Sequence, residues 1–224
     1  ALRHREFRWL WLGQLASSAT FEMGTVAQGW LIYQLTDSAF ALGWVSAGWS
    51  LSTLILSLYG GALTDRMEKR TLLLWTRAGM LANSVLVAVL ISLGAVRVWH
   101  LAASSLFTGL LFAFLMPAQQ AIISELVDRA TLLNALSLQS LGMGLMGIFS
   151  ASLAGLLIES VGVQGVYYLM AGLYLFSVFT NSRLPITGRG RPSGSLWSDL
   201  AAGLRYLRTS PVLLALLGVA LVRV

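Results

Sequence analysis

Six apolar segments, each longer than twenty residues, follow one another along this chain of 224 residues. A helix needs about 20 apolar residues to cross the hydrocarbon core of a bilayer. The composition agrees, since 57% of the residues are hydrophobic and only 11% are charged, against about 25% charged in soluble domains. Continuous runs of this kind do not alternate as the strands of a membrane barrel do. The sequence therefore predicts an all-α membrane protein with spans at 8–33, 40–63, 72–95, 100–124, 132–158 and 164–184.

Several functional classes are excluded by the residues themselves. The chain has no cysteine, which excludes disulfides, thiol nucleophiles and cysteine-bound metals. Its two histidines, His4 and His100, are far apart, and we expect no metal site and no cofactor. No nucleophile–base pair or phosphate-binding loop is visible, so we do not expect an enzyme. The net charge of +6 comes from basic residues scattered between apolar runs, which is unlike a nucleic-acid-binding face.

The connections between the segments differ in charge. Of the 15 basic residues, 13 fall on one side of the predicted membrane, whereas Arg97 lies on the other. Basic loops remain in the cytoplasm. We therefore expect a multi-pass protein of the plasma membrane (the bacterial inner membrane) with a cytoplasmic N-terminus.

The chain divides into three predicted regions. Residues 1–184 form a six-helix transmembrane bundle, and 185–210 form a linker with an amphipathic helix. That helix lies either on the cytoplasmic membrane surface or against the ends of the spans. Residues 211–224 are too few to cross the bilayer, and we interpret them as the start of a seventh span in a longer chain.

A polar stripe runs along the first predicted span. At 100° per residue, Gln14, Ser18, Glu22, Thr25 and Tyr33 fall within one third of the helix circumference. An ionisable group in mid-membrane costs several kcal/mol, so Glu22 is the outstanding residue. Burial favours the protonated carboxyl, which allows proton exchange near neutral pH. Glu22 is thus either a proton-coupling carboxylate, with the stripe facing a substrate pathway, or a protonated side chain that only joins two helices.

A glycine and four charged residues follow one another where the second span ends. The run Gly60-Gly-Ala-Leu-Thr-Asp-Arg-Met-Glu-Lys-Arg70 resembles the G-x-L-x-D-R-x-x-[RK]-R signature of the major facilitator superfamily. The matching positions are Gly61, Asp65, Arg66, Lys69 and Arg70.

This resemblance implies a gate latch, in which Asp65 faces the N-terminus of a helix in the other half of the transporter. Glu68 departs from the glycine common in this loop. The alternative is a charged turn that only sets the topology. The resemblance further implies that the chain is the N-terminal half of a twelve-helix transporter. A missing C-terminal half would complete the site for a small-molecule substrate.

Other segments are similar to one exporter branch of this superfamily, the transmembrane secretion effectors, which include enterobactin exporters and macrolide efflux pumps. They are 11–18, 35–43, 117–127 and the Asn-Ala-Leu-Ser run at 134–137. The branch implies export of a small amphiphilic compound, such as a drug or siderophore, driven by the proton gradient. The alternatives are an importer of the same superfamily and a half-length membrane scaffold.

Three further features lie in the spans. Pro117 is expected to kink the fourth span, and Gln119 and Gln120 after it face either a pathway or neighbouring helices. Gly147, Ala151 and Gly155 form a small-residue ridge for helix packing in the fifth span. The proline of the antiporter motif of the superfamily is absent there, and the fourth span lacks the arginine of many proton antiporters. Arg77 is expected to reach the cytoplasmic surface or to pair with Asp65.

Overall fold

The computed structural model describes residues 1–2, 4–64 and 67–186, without the side chains of residues 57–64. Within these ranges the chain is helical and contains no strand. The helices are α1 (Arg5–Thr36), α2 (Ala39–Thr64), α3 (Lys69–Ser92), α4 (Val98–Leu126) and α5 (Arg129–Ser182). The first four agree with the predicted spans to within five residues. The predicted amphipathic helix and the seventh segment, together with Asp65 and Arg66, lie outside the described residues.

The 54 residues of α5 form a hairpin and not one straight rod. Gly162 has φ 78° and ψ 170°, a conformation that interrupts the helix and that side chains other than glycine rarely allow. Both ends of α5 contact the same level of α1. Trp11 Nε1 donates a hydrogen bond to Leu138 O (3.3 Å), and Ser177 Oγ donates one to Gly13 O (2.9 Å). The two arms, 129–161 and 163–182, therefore run antiparallel along α1, and the break lies between the predicted fifth and sixth spans.

Four of the five described helices are long and apolar enough to cross a membrane, namely α2, α3, α4 and α5. Helices suit this role because they satisfy their backbone hydrogen bonds internally. The first helix is not among these four, since it carries the polar stripe. The protein is thus an all-helical, multi-pass membrane protein, and the count of six crossings remains a prediction.

Close approach between α2 and α4 depends on a glycine. A Cβ on Gly109 would lie 2.6 Å from the carbonyl oxygen of Trp49. One turn away, Ser105 Oγ donates a hydrogen bond to Val45 O (2.9 Å). Small residues let helix backbones approach each other, which supplies the packing contacts that hold helices together in lipid.

The packed interior consists of two apolar clusters at different levels. One surrounds Met23, Ala27 and Leu31 in the second half of α1. The other surrounds Phe7 and Leu10 near the start of the same helix. The end of the bundle at which α1 and α3 begin and α2 and α4 end is called the motif end below.

Gly109→Ala is expected to destabilise the protein by about 1–3 kcal/mol, because the new methyl group overlaps the backbone of α2. Gly144→Ala is the matched control, since nothing lies within 4 Å of its Cβ position. A helical Gly→Ala change in open space is neutral or stabilising by up to about 1 kcal/mol. Thermal unfolding in detergent measures the stability of both variants. Equal unfolding midpoints for the two variants would contradict the close packing of α2 against α4.

Candidate transport site

A cavity of about 330 Å³ lies inside the bundle, and all five helices contribute to its lining. The contribution of α1 begins at Thr20, about 22 Å along the helix from Arg5 at 1.5 Å per residue. Met80 and Tyr174 line the cavity and belong to the apolar cluster nearer the motif end. The cavity is thus displaced from the motif end toward the opposite end of the bundle.

Glu22 supplies a carboxylate to this cavity. Its side chain is partly buried and lies next to Gly147 of α5, whose Cβ position is 3.9 Å from Glu22 Oε1. Among the described residues, no hydrogen bond or ion pair involving the carboxylate is found. Glu22 can therefore bind a proton or a cationic group without first breaking an internal contact.

Aromatic rings form one wall beside Glu22. The ring centroids of Phe21 and Phe112 are 5.3 Å apart, and those of Trp49 and Phe112 are 5.7 Å apart. Trp49 Nε1 is buried and has no hydrogen-bond partner within the described part of the chain. Phe21 and Trp49 line the cavity and offer π faces to a bound molecule, with Phe112 packed against both rings.

A hydroxyl-rich patch faces the cavity from α3 and α4. Asn83 Nδ2 donates hydrogen bonds to Ser104 Oγ (2.8 Å) and Thr108 Oγ1 (3.3 Å). Sequence reasoning did not single out these residues. Asn83 could have been identified from the sequence, because it is a polar side chain within an apolar span.

The predicted stripe on α1 divides into three parts. Glu22 and Thr25 line the cavity, and Thr25 is exposed. Gln14 is buried nearer the motif end and donates from Nε2 to Ser18 Oγ (3.4 Å). Tyr33 is 54% exposed and does not line the cavity.

Arg77 was expected to reach the cytoplasmic surface or to pair with Asp65. The first expectation is wrong, and Asp65 lies outside the described residues. The Arg77 side chain is only 2% exposed, and Nη2 donates a hydrogen bond to Gln14 Oε1 (3.0 Å). The reason is depth: α3 begins at Lys69, so Arg77 lies about 12 Å along the helix, beyond easy reach of the interface.

The other predicted residues of the spans lie elsewhere. Gln119 is buried with Oε1 unpartnered in the described structure, Gln120 is exposed, and neither lines the cavity. On the small-residue ridge, Gly147 faces Glu22, Ala151 is partly buried, and no described atom lies within 4 Å of the Cβ position on Gly155.

Charged residues of the sequence motif join three helices at the motif end. Gly61 lies in the last turn of α2. Lys69 Nζ lies 2.5 Å from Glu125 Oε1 on α4, and Arg70 Nη2 donates to the carbonyl oxygen of Ser182 at the end of α5 (2.7 Å). A cation at a helix C-terminus also compensates the helix dipole. These contacts, Lys69–Glu125 and Arg70–Ser182, are called the clamp below.

Long apolar helices around a cavity that combines a carboxylate, hydroxyls and aromatic rings are typical of a membrane transporter. The chain belongs to the transmembrane secretion effector family of the major facilitator superfamily, whose sequence profile matches residues 1–223. Members of this superfamily are transporters and not enzymes.

Three curated relatives illustrate the similarity. The enterobactin exporter EntS of Salmonella choleraesuis is 28% identical over 96% of this chain and 53% of its own length. The multidrug efflux pump Tap of Mycolicibacterium fortuitum is 28% identical over 88% of this chain and 51% of its own. YfiS of Bacillus subtilis, an uncharacterized transporter of the major facilitator type, is 25% identical over 81% and 44%. The chain thus spans about half the length of the curated relatives it matches.

A double-mutant cycle tests the clamp. Lys69→Met and Glu125→Gln each remove one charge of a pair in which Lys69 is largely buried. We expect a coupling energy of about 1–2 kcal/mol from unfolding in mixed micelles. The exposed neighbours Asp128 and Arg129, changed to Asn and Met, serve as the control cycle with coupling near zero. A Lys69–Glu125 coupling no larger than the control would contradict the ion pair.

Proposed function

We propose that this protein is the N-terminal half of a secondary active transporter that exports a small amphiphilic compound in exchange for protons. The observation that carries the proposal is the unpaired Glu22 carboxylate in a cavity with an aromatic wall. Family membership supports the transporter class, and the proton gradient supplies the energy.

The membrane arrangement follows from the helices and their charges. The five helices make six rods, counting both arms of α5, and each rod is an expected crossing. Described basic residues gather at the motif end, with Arg5, Arg8 and Arg183 beside the clamp, whereas Arg97 lies at the opposite end. The positive-inside rule assigns the motif end to the cytoplasm of a bacterial inner membrane. The partner half would close the open side of the cavity.

Substrate and proton compete for one carboxylate in this mechanism. With the clamp closed, Glu22 exchanges with the opposite, external side and takes up a proton. When the clamp opens, the proton leaves to the cytoplasm, and the ionised carboxylate can accept the polar or cationic part of the substrate. Alternation between these states couples proton entry to export.

The chemistry of the lining supports an amphiphilic substrate. Phe21 and Trp49 offer apolar faces, while the Asn83 patch offers hydrogen bonds. Pockets built in this way combine apolar burial with a few orienting polar groups. The names of the relatives EntS and Tap, an enterobactin exporter and a multidrug efflux pump, fit this substrate class.

Glu22→Gln is expected to abolish substrate-induced proton release while the protein still inserts into the membrane, because the amide cannot carry the proton. Everted vesicles that contain the full-length protein and a pH-sensitive dye measure the release. Glu159→Gln, the same change at an exposed glutamate of α5, is the matched control and should behave as wild type. Normal proton release in the Glu22 variant would disprove the coupling role.

Asp65→Asn is expected to slow transport about fivefold without weakening substrate binding, since a carboxylate at a helix N-terminus contributes about 1 kcal/mol. Asp37→Asn is the control at the opposite end, where Asp37 caps α1 with φ 49°, a conformation that asparagine also adopts. Efflux and equilibrium binding are measured separately for both variants. If Asp65→Asn transports at the wild-type rate, the latch role is wrong, and the motif is a charged turn that only sets the membrane topology.

A further inference from the structure

Arg77 is a buried cation for which the described residues provide no acidic partner. It is 2% exposed, and within residues 1–2, 4–64 and 67–186 its guanidinium donates one hydrogen bond, to the neutral Gln14 Oε1, while its Nε has no partner there. A guanidinium remains charged in proteins. An uncompensated charge at this depth is costly, so residues of this kind commonly have a functional role.

Arg77 lies at one end of a polar track that leads to Glu22. It donates to Gln14, Gln14 donates to Ser18, and Glu22 follows Ser18 by one helical turn. The track therefore runs along α1 from the cavity carboxylate toward the motif end.

The floor of the cavity separates Arg77 from the cavity itself. Tyr174 of α5 lines the cavity and belongs to the apolar cluster nearer the motif end. The titratable side chains of the described lining are Glu22, Tyr167 and Tyr174, and none of them is a cation. Arg77 is thus the positive charge nearest the floor on the motif side.

We propose that Arg77 is an electrostatic barrier that prevents a proton from passing from Glu22 to the motif end while the clamp is closed. The inference rests on the proposed function and adds to it a means of preventing futile proton entry. A fixed positive charge in a low-dielectric interior repels a hydrated proton strongly. Because none of the carboxylates in the described ranges pairs with Arg77, we expect its field to extend along the track. Gln14 is the positioning residue that holds the guanidinium there.

Proton leak in the absence of substrate tests this barrier. The full-length protein is reconstituted in liposomes that contain a pH-sensitive dye, and the decay of an imposed pH gradient is followed. Arg77→Gln is expected to leak about tenfold faster than wild type. Arg77→Lys keeps the charge and is expected to leak close to the wild-type rate. A wild-type leak rate in folded Arg77→Gln, or an equally fast leak in Arg77→Lys, would overturn the proposal.

Two further variants separate charge from packing and define the route. Thr76→Val perturbs the buried neighbour without changing charge, and it should not leak. The double variant Arg77→Gln with Glu22→Gln should lose the extra leak, because the proton no longer has its first site. A leak in Thr76→Val equal to that of Arg77→Gln, or an undiminished leak in the double variant, would also overturn the barrier.

If Arg77→Gln does not fold, Gln14→Leu provides the same readout. It keeps the charge but removes the acceptor that positions it, so a leak above wild type is expected and a wild-type leak contradicts the proposal. The exposed Gln120→Leu is its matched control. Since the leak is measured without substrate, it is independent of substrate-induced proton release in Glu22→Gln, which tests the proposed function.

Discussion

Polar groups are costly in hydrocarbon, and the arrangement of this protein follows from that cost. Backbone groups satisfy one another within helices, so the described spans are helical from end to end, with a break at Gly162 where α5 reverses. The polar side chains of Glu22, Asn83 and Arg77 lie in the interior, among five packed helices. Because inward-facing polar groups need space and partners, the same cost produces both the cavity and the hydrogen bonds around it.

In the proposed function, the clamp and the cavity are complementary parts of one access state. Charged contacts close the motif end, where Lys69 binds Glu125 and Arg70 binds the end of α5. The cavity lies beyond the packed layer that contains Met80 and Tyr174. A molecule in the cavity is thus separated from the motif end by an apolar layer, a buried guanidinium and an ion pair in series. In that proposal, opening toward the motif end requires all three to rearrange, as expected for alternation between two discrete states.

Helix positions and the cavity-lining residues Glu22 and Thr25 of α1 could be predicted because both depend on local periodicity. The 100° rule that grouped Glu22 with Thr25 also describes how the cavity is lined. Arg77 could not be placed, because its depth depends on where α3 begins and its partner lies 63 residues away on another helix. The same limit applies to Asn83 and to Lys69, whose contacts join helices that are separate in sequence. Tyr33 shares the stripe in projection but lies near the end of α1, beyond the cavity.

The hairpin of α5 affects how the chain acquires its structure during synthesis. The contacts that enclose α1 come from residues 127 and 164 positions later in the sequence. At ribosomal rates of about 5–20 residues per second, these residues are synthesised about 6 to 33 seconds after α1. Throughout that interval the least apolar helix of the bundle is in the bilayer without its final neighbours. During that interval the Glu22 carboxylate lacks the neighbour that Gly147 of α5 provides in the final structure.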